Sequence, residues 1–136
     1  MDYTPRSTLV VPETNVTRSA VPFVDAHAHL WRAAEMSAED IATLVGEMDA
    51  MNMAVMVNLS GGSGERLRTA IANTERYAPR RIVHFANVDF EGIDEPGWGE
   101  RAAAQLAEDI DAGAVGLKIF KSLGLSVTDS QGGASL

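Results

Sequence analysis

Four short apolar runs recur about every thirty residues, with an amphipathic segment between each and the next. No other feature of the chain constrains its fold so tightly. The runs are 23–27, 55–59, 82–88 and 115–120, rich in Val, Ile and Phe as buried strands are. After the first, Ser37 and Asp40 stand at capping-box spacing, and Ile41, Leu44, Val45 and Met48 follow at i, i+3, i+4, i+7. A helix is therefore expected over 37–51, ended by Asn52 in a left-handed turn. A second is expected over 63–78, burying Leu67, Ala70, Ile71 and Thr74 and stopped by Pro79. A third is expected to start near Trp98, with a stripe of Ala103, Leu106, Ala107 and Ile110 and Gly113 at its end. The order β-α-β-α-β-α-β implies parallel strands joined by right-handed crossovers.

Two architectures satisfy that order: an open doubly wound sheet, and part of a (β/α)8 barrel. Side-chain parity separates them. Asp25, His27 and His29 share one face of the first strand. Met56, Asn58 and Ser60 share one face of the second. Phe85, Asn87 and Asp89 share one face of the third, with His84 opposite. In the fourth, Gly116, Lys118 and Phe120 lie opposite Val115, Leu117 and Ile119, an apolar set suited to a helix layer. An open sheet buries apolar residues on both faces, whereas a barrel gathers polar residues at its strand ends. The fold expected is α/β, the N-terminal half of a (β/α)8 TIM-type barrel, with four parallel strands and three helices. A whole barrel takes ~250 residues, and this chain has 136. Residues 1–20 read as an extended lead-in with one short strand at Thr8–Val11, 21–125 as the partial barrel domain, and 126–136 as a polar tail. The closing "TDSQGGASL" reads as a turn and a short tail at a truncation point.

Charge and composition exclude several functions. Eleven basic residues against 19 acidic give a formal charge of −8, which disfavours nucleic acid. Arg66, Arg68, Arg80 and Arg81 are scattered near element ends and form no stripe. Without cysteine there is neither a disulfide nor a thiolate site, so any metal is held by His and carboxylate. No run is long enough for a membrane helix and no signal peptide is legible, so the default expectation is cytoplasmic. The expected partner is a small-molecule substrate, not nucleic acid or a membrane.

The chemistry concentrates in "FVDAHAHLW", residues 23–31. His27 and His29 are two apart, so on an extended chain both imidazoles point to one side and can share an ion. A catalytic divalent site takes at least three protein ligands and keeps one position open. Spacing alone fits equally a histidine pair held by ordinary hydrogen bonds.

The segment "VDAHAHLW" resembles the first-strand signature of the amidohydrolase superfamily. "FANVDF" at 85–90 and "GAVGLKIFKSLGL" at 113–125 resemble the third- and fourth-strand regions of its amidohydrolase-related branch. The likeness covers roughly residues 21–132. It implies a metal-dependent hydrolase of C–N or C–O bonds on a (β/α)8 barrel. It further implies that His27 and His29 are first-strand ligands of a divalent ion, zinc being the expected one. Some relatives decarboxylate or hydrate instead, so a decarboxylase is an alternative. Binuclear members use a carboxylated lysine on the fourth strand, which makes Lys118 a candidate catalytic residue; otherwise its ammonium simply reaches water. The family's later-strand His and last-strand Asp, usually the base, have no counterpart here. His84 is the remaining histidine, and its parity sets it apart from the pair. The chain is thus expected to be incomplete and inactive alone.

Lesser candidates complete the set. Asn87 is a candidate for lining the pocket or supporting the ligands, and Trp31 for the loop over them. Asp25 reads as a structural hydrogen-bonding residue, Asp89 as a loop cap, and Lys121 as solvated. Gly61-Gly62-Ser63-Gly64 resembles a phosphate turn but matches neither the Walker nor the dinucleotide pattern. Two other functions compete: a non-catalytic half-barrel that self-associates through its exposed strand edges, and an open receiver-like domain with Asp25 and Lys118 as its charged residues.

Overall fold

The computed structural model of the chain describes residues 4–6, 8–12 and 14–128. Its elements are β1 (Phe23–Ala28), α1 (Ala38–Met51), β2 (Met53–Asn58), α2 (Gly64–Tyr77), β3 (Ile82–Asn87), α3 (Trp98–Asp111), β4 (Gly116–Lys118) and α4 (Ser122–Leu125). All three strand pairs are parallel. The order β1-β2-β3-β4 is sequential, and the sheet curls as a half-barrel. A doubly wound sheet reverses its order at a switch point, and this one does not. That removes the geometric basis of the receiver-like reading. No helix among the described residues is long and apolar enough to cross a membrane.

Local chemistry explains the first helix. The Ser37 hydroxyl accepts from the Asp40 N–H at 3.1 Å, and the Asp40 carboxylate accepts from the Ser37 N–H at 2.9 Å. The Ser37 N–H and then the Ser37 hydroxyl, both donating to the Asp40 carboxylate, hold that carboxyl below its ordinary pKa. Ile41 and Met48 are buried, Leu44 and Val45 half-buried, and Asn52 ends the helix at φ 66°. Arg18 then fastens the lead-in beneath it, donating to the carbonyls of Asp49 and Ala50, where the helix dipole is negative. Arg81 ties the same end to β2, donating to the carbonyls of Ala54 (2.8 Å) and Met53 (2.9 Å) and to Asp49 Oδ1 (2.8 Å).

The second helix buries Leu67, Ala70 and Thr74 as expected. Leu67 packs with Ala86 of β3 and Ala114, and Ile71 and Leu106 close this small core. Ser63 at the N-cap makes no side-chain capping bond. Instead Asp109 of α3 caps α2 from a distance: its Oδ1 accepts from the Gly64 N–H at 2.8 Å and from Gln105 Nε2 at 3.1 Å. Its other oxygen, Oδ2, has no hydrogen-bond partner among the described residues.

That cap explains the main departure in the third helix. The inward face is Ala102, Gln105, Leu106 and Asp109, not Ala103, Leu106, Ala107 and Ile110. The helix is turned by about one residue, and Ile110 is exposed. Alanine gains little by burial, so the stripe of two alanines yields to the buried carboxylate.

Three further expectations are corrected. Thr8–Val11 joins no sheet, and Leu9, Val10 and Val11 are exposed; Pro12 ends the run and lacks the N–H a ladder needs. β4 is shorter than expected, and its apolar set is not under a helix: Val115, Leu117 and Ile119 are 60%, 39% and 43% exposed. The described residues hold four helices, because α4, a single turn, follows β4. Of the polar tail expected over 126–136, residues 129–136 lie outside those described.

Asp109→Ala should leave the Gly64 N–H without its acceptor and α2 without its cap. We expect a loss of about 2 kcal/mol, read as a lower urea midpoint with an unchanged slope.

Candidate functional site

β1 ends where the two histidines stand. Its pairing with β2 is irregular between Asp25 and Ala28: three steps along β1, Asp25 to Ala28, meet two along β2, Met56 to Asn58. Strict alternation therefore breaks inside the motif, a bulge-like device. Asp25 accepts there from the His27 N–H through Oδ1, at 3.0 Å, which is the structural role its type suggests. His27 follows, and His29 lies just past the strand.

The imidazoles of His27 and His29 meet edge to face, with centroids 5.3 Å apart and planes at 63°. His29 stacks almost flat on Trp31, at 5.4 Å and 8°. Phe120 comes from the far side of the curled sheet to lie 6.1 Å from His29 and 5.8 Å from Trp31. His27, His29, Trp31, Lys118, Phe120 and Lys121 line one groove of about 360 Å³. The inner face is paved beside it by Phe85, whose ring lies so close over Gly116 that a Cβ there would fall 2.6 Å from it. Only glycine admits that ring.

Four of the residues singled out in the sequence, His27, His29, Trp31 and Lys118, thus meet in one place. Lys121, exposed as expected, also lines the groove. Among the described residues the lining holds four nitrogen bases, His27, His29, Lys118 and Lys121, and no carboxylate, on a chain of charge −8.

Asn87 does not join the groove. Its Oδ1 accepts from the Gly62 N–H at 2.8 Å, and its Nδ2 donates to the carbonyls of Leu59, Ala86 and Lys118 at 3.1, 3.1 and 3.2 Å. It knots the ends of β2, β3 and β4. It lines a separate cavity of about 290 Å³ with Ser63, Trp98, Arg101 and Gln105. Asp89 accepts from the Glu91 N–H, an ordinary loop cap.

Two residues passed over in the sequence hold the histidines in place. Ser60 Oγ and His29 Nδ1 share a hydrogen bond of 2.6 Å, which leaves Nε2 of that ring for a ligand. Asn58, fully buried, accepts from the Leu30 N–H at 2.8 Å and donates back to the Leu30 carbonyl at 3.2 Å. It clamps the loop that leaves His29. The signal for both was their parity with Met56, and it was readable only as a face, not as a partner.

His84 is sequestered from the groove. Asn58 Nδ2 points to its Nδ1 at 3.1 Å, and Thr74 Oγ1 lies 2.9 Å from its Nε2. An amide N–H can only donate, so Nδ1 accepts and the proton sits on Nε2, pointing at Thr74. Thr74 passes its own proton to the Ala70 carbonyl, 3.0 Å away. Burial pushes the His84 pKa down to about 4, and this network accommodates the neutral ring.

A divalent ion bound in the groove would find two imidazoles, one oriented by Ser60. Among the described residues no three His, Cys, Asp or Glu gather to hold a metal. The donors fit the first-strand part of a metal site and fall short of a whole one. The chain matches no family model, no curated protein and no solved structure.

The His84 network makes stability depend on pH. Between about 4 and about 6.5 the unfolded chain binds a proton on this ring and the folded chain does not. Stability is therefore complete above about 6.5 and falls as pH drops toward about 4, by about 3 kcal/mol in all. Urea titrations across that range should show a shallower fall in His84→Leu than in the wild type, although the variant starts less stable.

Proposed function

We propose that this chain forms the N-terminal half of an amidohydrolase-like (β/α)8 barrel. In that reading His27 and His29 are the first-strand ligands of a divalent metal, zinc before others, in the hydrolysis of a C–N or C–O bond. The observation that carries the reading is the pair of adjacent imidazoles at the C-terminal end of β1, on the inner side of a curled parallel sheet, with Lys118 across the groove. Active sites of (β/α)8 barrels lie at that end. A ligating histidine commonly gives its other ring nitrogen to a hydrogen-bond partner, and Ser60 is so placed for His29.

Each lining residue then has a task. His29, stacked on Trp31 and bonded to Ser60, presents Nε2 in one orientation. Trp31 and Phe120 wall the groove. Lys118 and Lys121 offer ammonium groups to an anionic part of the substrate. A bound metal would supply an acidified water and polarise the group attacked. Its further ligands and the base come from beyond the described residues.

Zinc titrated calorimetrically into the folded chain should bind at one site, and His27→Ala with His29→Ala should abolish that binding. Ser60→Ala should weaken it roughly 10- to 100-fold, as loss of an orienting partner does. Equal heats from the wild type and the double variant would end the metal reading.

A further inference from the structure

Both lysines of this chain stand in one groove. Lys118 and Lys121 are the only lysines in the sequence, where every other basic residue is an arginine or a histidine. They line the groove together with the histidine pair, Trp31 and Phe120. The arginines are mostly engaged elsewhere. Arg32, Arg68, Arg81 and Arg101 pair with carboxylates, and Arg18 and Arg66 donate to backbone carbonyls. Neither lysine ammonium has a partner among the described residues, and no carboxylate among them lines the groove. Like charges gathered in one groove repel, and a bound anion relieves the repulsion. The groove has an aromatic half as well. His29 lies flat on Trp31, yet Trp31 stays 56% exposed. Arg66 donates to the Trp31 carbonyl at 2.6 Å, fixing the loop that Asn58 already grips at Leu30. Phe120 stands 5.8 Å from Trp31, its plane tilted by 33°. Trp31 and Phe120 thus offer the groove held, part-open ring surface against which a planar ring can pack.

We propose that the groove takes a phosphate monoester of a planar aromatic ring, with the ring against Trp31 and Phe120 and the phosphate held by Lys118 and Lys121. A phosphate monoester carries a charge of about −1.5 to −2 at neutral pH, enough to match both ammonium groups. A carboxylate carries one charge and leaves one ammonium unmatched. Lysine meets an oxyanion as a point charge, so two lysines can share one tetrahedral group from different sides. The planar fork that matches a carboxylate belongs to arginine, and no arginine lines the groove among the described residues. The groove, about 360 Å³, lies within the range that small-molecule sites span. The phosphate serves as a handle, and no bond to phosphorus changes. The inference rests on the reading of this groove as the substrate site but not on the metal, since the lysines bind the ester with or without an ion on His27 and His29.

Phenyl phosphate titrated calorimetrically into the full chain, without zinc, should bind at one site. In a Trp98→Phe background, which leaves Trp31 as the one tryptophan, it should quench the indole fluorescence over the same range. Added salt should weaken it. Lys118→Gln and Lys121→Gln should each cost roughly tenfold in affinity, as loss of one charge-assisted hydrogen bond does. Both variants should keep the circular dichroism of the wild type, and the two changes together should abolish binding. Cyclohexyl phosphate and inorganic phosphate, which lack the flat ring, should bind more weakly than phenyl phosphate. So should benzoate and isophthalate, which carry one and two carboxylates in place of the phosphate. Any of these four binding as tightly as phenyl phosphate, or no saturable binding by the folded chain, would overturn the proposal. Zinc calorimetry on the same chain separates the two readings. Zinc bound without the ester sinks this inference and leaves the metal site standing, and the ester bound without zinc does the reverse.

Discussion

One buried amide holds the site to the sheet. Asn58 ends β2 with no exposed surface. Its oxygen accepts from the N–H groups of Leu30 and Ser60, and its nitrogen donates to the Leu30 carbonyl and to His84. The loop after the histidines, the turn that carries the orienting hydroxyl and the third strand all converge on this side chain. Burying an amide without partners is costly, so the groups around it have one arrangement that satisfies them all. The positions of His29 and Trp31 follow in part from that arrangement, since Asn58 holds Leu30 between them.

Much of this was legible because it is periodic. Ile41 and Met48, or Leu67, Ala70 and Thr74, repeat at helical spacing and are buried where that spacing puts them. The His27–His29 pair was legible because residues two apart on an extended chain stay near each other, and their rings do meet although His29 lies past the strand. Asp109 was not, because its partner Gly64 lies 45 residues away and a long-range cap leaves no local pattern. The bulge between Asp25 and Ala28 was hidden too, since strict alternation assumes a regular ladder. The apolar side of β4 was read correctly as a face but assigned a cover that the described residues do not provide.

The electrostatics of the groove run against those of the chain. A protein of charge −8 repels anions at a distance. Among the described residues the lining of the groove is basic and aromatic, with no carboxylate to neutralise it. Screening confines the long-range repulsion to about 10 Å at moderate salt, so a small anion that has reached the mouth meets the lysines first. The protein's overall acidity and an anion-binding mouth are therefore compatible.

The turn at Gly61–Gly64 shows how a protein can silence one of its own motifs. Its glycine-rich sequence before a helix resembles a phosphate turn, but the Gly62 N–H donates to Asn87 and the Gly64 N–H donates to Asp109. Both acceptors are tethered to the same fold, so each competes at an effective concentration that a free ligand seldom reaches. The loop behaves as a receptor permanently occupied by its own chain. A glycine-rich turn before a helix thus becomes a structural joint at the seam between α2 and α3.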